Sequence, residues 1–206
     1  MKKLFSFIKK NINIIIVATI SFGLRFINLG YSDYQGDEIK ALYLPEAGQK
    51  LSDFLVSQKK GPVQFLITYL IKFIDNDYSN QFLVRLPFAL AGVLAVIFFY
   101  KFVKLHFGER VAFYSSLFFS TSGLFIAFSR IVQYQSFVIL FAVLGLYFLS
   151  LAGLSDKYKI KGIFLGLIFW ALSILSHYDG VFIAPFAFYL LFAWFKNSDL
   201  TIRQKI

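Results

Sequence analysis

Asp37 and Glu38 are adjacent carboxylates in the stretch Tyr31-Ser-Asp-Tyr-Gln-Gly-Asp-Glu-Ile39, within a chain that is 58% hydrophobic. A carboxylate held beside a bilayer is costly, and a positioned one can take a proton from an acceptor hydroxyl as a general base. Cations that could work with it occur further on. They are Lys60 in Lys59-Lys60-Gly61-Pro62, Arg85, and Arg130 after Ser129, and a polar cluster follows at His177-Tyr178-Asp179. Lys or Arg at headgroup level can hold the charge that develops on a departing lipid phosphate. Consecutive helical residues point about 100° apart, so Asp37 and Glu38 are not expected to face one hydroxyl together. We expect Asp37 to be the base and Glu38 to orient or pair. A sugar carried on a lipid phosphate needs no soluble nucleotide, and the sequence has no phosphate-cradling Gly-rich loop.

Membrane helices must position these residues. The 206 residues include 28 Phe and 12 Tyr and no Cys, with a mean hydropathy of +0.68. Apolar runs of roughly 18 or more residues predict helices that cross a bilayer. The alternating pattern of a membrane barrel is absent. The expected fold is all-α and polytopic, with six spans near Asn11–Leu29, Gln81–Val103, Val111–Phe128, Val132–Leu154, Gly162–Ser176 and Val181–Phe195. The first span follows the basic start Lys2, Lys3, Lys9 and Lys10 and reads as an uncleaved signal anchor, with Arg25 able to snorkel near its outer end. Residues 30–80 form the first outer loop. It carries short amphipathic stretches at Glu38–Leu44 and Leu51–Val56. The run Pro62–Ile74 is too short to span and is expected to lie along the interface. Ser79-Asn80 offer helix caps before the second span.

Charge fixes the orientation. With six spans both termini share one side, and the positive-inside rule makes it the cytoplasm. That side holds thirteen Lys and Arg against three acids, which is the whole net charge of +10; eight bases and eight acids balance on the other side. Nucleic acid is therefore not expected as a partner. If Pro62–Ile74 spanned instead, the basic loops 101–110, 157–161 and 196–205 would all face outward, against the bias. Asp37, Glu38, Lys60, Arg85, Arg130, Gln133, Tyr134, Gln135, His177, Tyr178 and Asp179 then share the extracytoplasmic level.

Simpler roles compete for each of these residues. Arg25 and Arg85 are candidate snorkelling anchors. Arg130 and His177 are candidate helix caps or partners of Asp179. Asp75 and Asp77 read as solvated loop residues, and the Phe stripes of the third and fourth spans as lipid-facing or packing surface. Asp37, Glu38 and Asp179 could offer oxygen ligands to a hard cation, but no ligand spacing signals a metal site. No cofactor is indicated.

The residues after the first span resemble the acidic pair of the GT-C glycosyltransferases, specifically the family 39-like branch of protein O-mannosyltransferases and aminoarabinose transferases. Lys60-Gly61-Pro62-Val-Gln-Phe-Leu66 resembles the family's Lys/His-Pro-Pro-Leu-Tyr stretch. Arg85-Leu86-Pro87-Phe-Ala-Leu-Ala-Gly-Val-Leu94 resembles its Arg-Leu-Pro-Ser-Ala-Leu segment. Phe107-Gly108-Glu-Arg110 and Phe128-Ser129-Arg130 resemble its Phe-Gly-Arg-Arg turn and Ser-Arg element. The likeness runs from about Arg25 to Pro185. The chain departs from the family at Gly61-Pro62, where Pro-Pro is common, and at Gln133 and Gln135, where many members place an Asp.

The resemblance implies inverting transfer of a sugar from a polyprenyl-phosphate donor, at the extracytoplasmic face, to a hydroxyl of a glycan, lipid or protein. By carry-over Asp37 is the base, Lys60 contacts the donor phosphate and Arg130 lies nearby. Arg85, His177 and Tyr178 complete the expected substrate-binding set. Family members run to several hundred residues with about a dozen spans, so residues 1–206 are expected to be one N-terminal membrane module. The alternative is a non-catalytic carrier or scaffold, such as a lipid flippase or transporter half. Such proteins place ionisable groups near mid-membrane at broken helices.

Overall fold

The computed structural model describes residues 11–154 and 159–197. The basic start before Asn11, residues 155–158 and the basic tail after Asn197 lie outside them. The described residues are helical, with no strand among them. Four helices are long and apolar enough to cross a membrane: Gln81–Thr121, Gln135–Leu154, Lys159–Ser176 and Tyr178–Lys196. Two shorter apolar helices, Ile12–Phe26 and Pro62–Ile71, accompany them.

The first helix, α1 (Ile12–Phe26), is shorter than the expected span and packs along α5. Small helices α2 (Asp37–Ala41) and α3 (Leu51–Val56) follow at the expected places. Helix α4 (Pro62–Ile71) starts on a proline, whose missing N–H costs nothing at the first helical position. It buries Gln64, Phe65, Thr68 and Ile71 along one face and stops short of Phe73 and Ile74, which are exposed. At about 1.5 Å per residue its ten residues reach about 15 Å, half a hydrocarbon core.

Helix α5 (Gln81–Thr121) merges the second and third expected spans. Asn80 caps it by accepting from the Leu83 amide at 3.0 Å. Gly108, at φ 80°, breaks the helix and turns it back on itself; Gly enters this region without the Cβ clash that other residues meet. Phe99 packs on Phe119 and Tyr100 clusters with Ala112, so residues 81–107 and 109–121 form an antiparallel hairpin. The third expected span is not one helix to Phe128. Ser122 adopts extended backbone, and the short α6 (Gly123–Ser129) resumes at a new angle.

Helices α7 (Gln135–Leu154) and α8 (Lys159–Ser176) cross at small residues. A Cβ on Gly162 would come within 2.8 Å of the Phe148 carbonyl, and one on Gly166 within 2.7 Å of Leu149. Close approach of backbones supplies the dispersion contacts that lipid, itself apolar, cannot drive by exclusion. A 3-10 turn (Tyr178–Ile183) leads into α9 (Ala184–Asn197). Trp170 donates from its indole to Gly180 O at 3.0 Å and fastens that turn to α8. The succession of helices brings the end of α1, the start of α5, the 122–134 segment, the end of α8 and the 3-10 turn to one end of the bundle.

Arg25 differs from the sequence expectation. It does not snorkel; it is 1% exposed and points into the bundle. Its guanidinium donates to Ser21 Oγ at 3.0 Å and to the Ser120 carbonyl at 3.2 Å, where the break after α5 leaves carbonyls without helical partners. Gly92 and Ser129 leave it room: a Cβ on Gly92 would sit 2.9 Å from Arg25 Nε.

Candidate functional site at one end of the bundle

Gly36, with φ 55°, turns the chain into α2, and the following residues diverge as helical geometry requires. Glu38 faces inward and is 3% exposed. Arg85 from α5 grips it with two parallel bonds, Nε to Oε1 and Nη2 to Oε2, both 2.9 Å. The Val132 amide adds a third at 2.9 Å. Arg85 also donates to the carbonyls of Leu29 and Ser32, at 3.2 and 2.9 Å. Glu38 and Arg85 thus tie the 30–80 segment, α5 and the 130–134 segment into one block. Fork-to-fork pairing of this kind fixes geometry as well as charge.

Asp37 faces outward. Lys60 Nζ lies 2.7 Å from its Oδ2 and Lys40 Nζ 3.5 Å from its Oδ1. Gln133 Nε2 reaches the same Oδ2 at 3.4 Å. The Lys60 ammonium, through its hydrogen bond and its charge, holds the Asp37 carboxyl below the usual carboxylate range. Asp37 is therefore ionised across neutral pH, the state a general base requires.

Gly61 places Lys60. Its φ is 81°, a conformation closed to proline. A Cβ at this position would lie 2.5 Å from the Leu175 and Ser176 carbonyls, so the residue before α4 rests directly on the end of α8. The next residue after α8 is His177. Its ring stacks on Tyr134 at 4.0 Å, and its Nδ1 sits 3.0 Å from Asp179 Oδ2. His177 is 5% exposed, whereas Tyr178, packed on the same ring, is 68% exposed. Burial pushes the Tyr134 phenol up, and the charges of Asp179, Tyr178 and Asp37 add to the shift. Asp37, Lys60, Gln133, Tyr134, His177 and Asp179 thus form one polar neighbourhood.

Arg130 is turned away from that neighbourhood. It donates to the carbonyls of Leu24, Ile27 and Asn28 at 2.8–3.0 Å and caps the end of α1. Among the described residues no three His, Asp or Glu converge as a metal would need. Gln133 and Tyr134, absent from the expected set, touch Asp37 and His177. Their signal was the cluster of amides and a phenol just after Ser129-Arg130.

Two cavities flank the site. A polar cleft of about 590 Å³ lies between the 31–38 loop and the 123–133 segment, with Tyr31, Asp33, Gln35, Arg130 and Gln133 in its walls. An apolar groove of about 710 Å³ runs between the α5 hairpin and α7, lined by Phe118, Phe119, Val138, Ala142 and Leu146. Gln135 and Asp179 stand at its polar end, and Gln135 Oε1 is buried there with no hydrogen-bond partner.

A carboxylate paired with a lysine and an apolar groove thus lie at one end of a helical membrane protein. The family model described as dolichyl-phosphate-mannose-protein mannosyltransferase matches residues 59–203, and the chain belongs to that family. It is thus a membrane glycosyltransferase of the GT-C type. Lys60, Arg85, Arg130, His177 and Tyr178 fall within the matched stretch; Asp37 and Glu38 precede it. No match was found among curated proteins or solved structures.

Proposed function

We propose that the protein moves a sugar from a polyprenyl-phosphate donor to an acceptor hydroxyl, with inversion, at the extracytoplasmic face of the cell membrane. The observation that carries this reading is the 2.7 Å contact between Lys60 and Asp37, in a polar neighbourhood whose Asp179 also lines an apolar groove. The acceptor O–H gives its proton to Asp37 Oδ2 while its oxygen bonds to the anomeric carbon. The bond from that carbon to the phosphate oxygen breaks, and its electron pair leaves with the phosphate. Lys60 holds that charge. The groove takes the lipid chain, since its walls are almost wholly apolar and it opens beside Asp179. Glu38 and Arg85 hold the base loop in place and stay clear of the reacting atoms. Arg130 fixes α1 against the 130–134 segment.

Donor titration tests the role of Lys60. A charge-assisted hydrogen bond contributes about 1.5–3 kcal/mol. Lys60→Met is expected to raise the KM for the lipid-phosphate donor by about 10- to 150-fold. An unchanged donor KM with Lys60→Met would place the phosphate elsewhere.

A further inference from the structure

We infer that the polar cleft beside Asp37 is a carbohydrate-binding site, and that the acceptor presented to the base is a saccharide hydroxyl. The inference rests on the proposed transfer for the acceptor role, but the binding it asserts can be measured without transfer.

Three observations carry it. The first is position. Gln133 lines the cleft and reaches Asp37 Oδ2 at 3.4 Å, while Lys60 reaches the same oxygen at 2.7 Å. In an inverting displacement the incoming oxygen and the leaving group occupy opposite faces of the anomeric carbon. Lys60 and Gln133 meet at one carboxylate oxygen, so a base there can serve a donor held at Lys60 and an acceptor held in the cleft. The donor enters from the Lys60 side and the acceptor from the Gln133 side.

The second observation is chemistry. The walls offer two side-chain amides, Gln35 and Gln133, the Asp33 carboxylate, the Ser32 hydroxyl and the Tyr31 ring. These are donors and acceptors suited to a neutral polyol. Tyr31 is 74% exposed; the Arg130 guanidinium lies over one side of its ring at 5.8 Å, which leaves the other side for the C–H face of a pyranose. The cleft's two cations already carry structural bonds. Arg85 is paired with Glu38, and Arg130 is held by three carbonyls.

The third is what the walls withhold. An extended peptide binds by running along unpaired backbone groups. Here the carbonyls of Ser32 and Asp33, both in the cleft wall, are already occupied by Arg85. The volume, about 590 Å³, lies within the range of about 300–1,000 Å³ usual for small-molecule sites.

The test is saturation-transfer NMR on the full-length protein in nanodiscs, with methyl α-mannoside, methyl β-glucoside and N,N′-diacetylchitobiose as probes and a serine-containing peptide as competitor. At least one sugar is expected to bind at millimolar concentration. Tyr31→Ala and Gln133→Ala should each weaken it fivefold or more at unchanged helicity, and Tyr43→Ala, an exposed tyrosine on another part of the outer loop, should leave it unchanged. No sugar binding at 50 mM to folded protein, or displacement of the sugars by the peptide at this site, overturns the inference. Sugar binding in a protein that transfers nothing would retain the site and sink the proposed transfer. Transfer without Tyr31-dependent sugar binding would do the reverse.

Discussion

At the scale of residues, the two neighbouring carboxylates are separated by one helical step into different environments. Asp37 meets Lys60 and water, whereas Glu38 meets Arg85 in the interior. The sign of the Asp37 shift sets a pH prediction. A carboxyl held below its usual range stays ionised to lower pH, so activity that needs it as a base is present above its pKa and is lost as pH falls through it. The acid limb of kcat/KM should therefore lie below the ordinary carboxylate value of about 4. Lys60→Met should move that limb upward toward it, and an acid limb unmoved by Lys60→Met would show that Lys60 does not tune the base. The divergence of Asp37 and Glu38 was readable from helical periodicity alone. The partners were not, because Lys60, Arg85 and Gln133 reach them from distant parts of the chain.

At the scale of elements, the Glu38–Arg85 pair and the Arg130 cap join the outer loop to α1, α5 and the 130–134 segment. Removing one partner of a buried ion pair leaves an uncompensated charge and costs about 3–5 kcal/mol. Arg85→Met is expected to lower the thermal unfolding temperature sharply, while replacing both partners, Glu38→Leu with Arg85→Met, should recover part of the loss. Equal unfolding temperatures for wild type and Arg85→Met would contradict the structural role. Gly61→Ala tests the seat of Lys60. It forces a Cβ into the Leu175 and Ser176 carbonyls at a φ of 81° and should raise the donor KM by displacing the lysine. The short helices at 37–41, 51–56 and 62–71 could be read from apolar spacing and from Pro62. The break at Ser122 was passed over: Ser120-Thr121-Ser122-Gly123 is a local turn and cap signal, but the apolar run on either side outweighed it. Arg25, entering the bundle, takes the Ser120 carbonyl that the break leaves open.

At the scale of the whole molecule, the helices bring all the expected site residues to one end of the bundle, although Arg85 and Arg130 serve there as ties. The all-helical membrane class followed from long apolar runs, which hydropathy reports faithfully. Arg25 was misplaced because hydropathy registers a charge near a helix end, while its burial depends on Gly92 and Ser129 from other helices. Orientation rests on charge, and it is checked by reporter fusions after Lys104 and after Lys161. Both should read cytoplasmic; an extracytoplasmic reading at both would refute the interfacial placement of residues 62–74. The most direct test of the catalytic proposal is sugar transfer by full-length Asp37→Asn, with membrane insertion and helicity verified. Loss of a general base is expected to lower kcat by about 10²- to 10⁴-fold with the donor still bound. Transfer at the wild-type rate would mean that Asp37 is not the base.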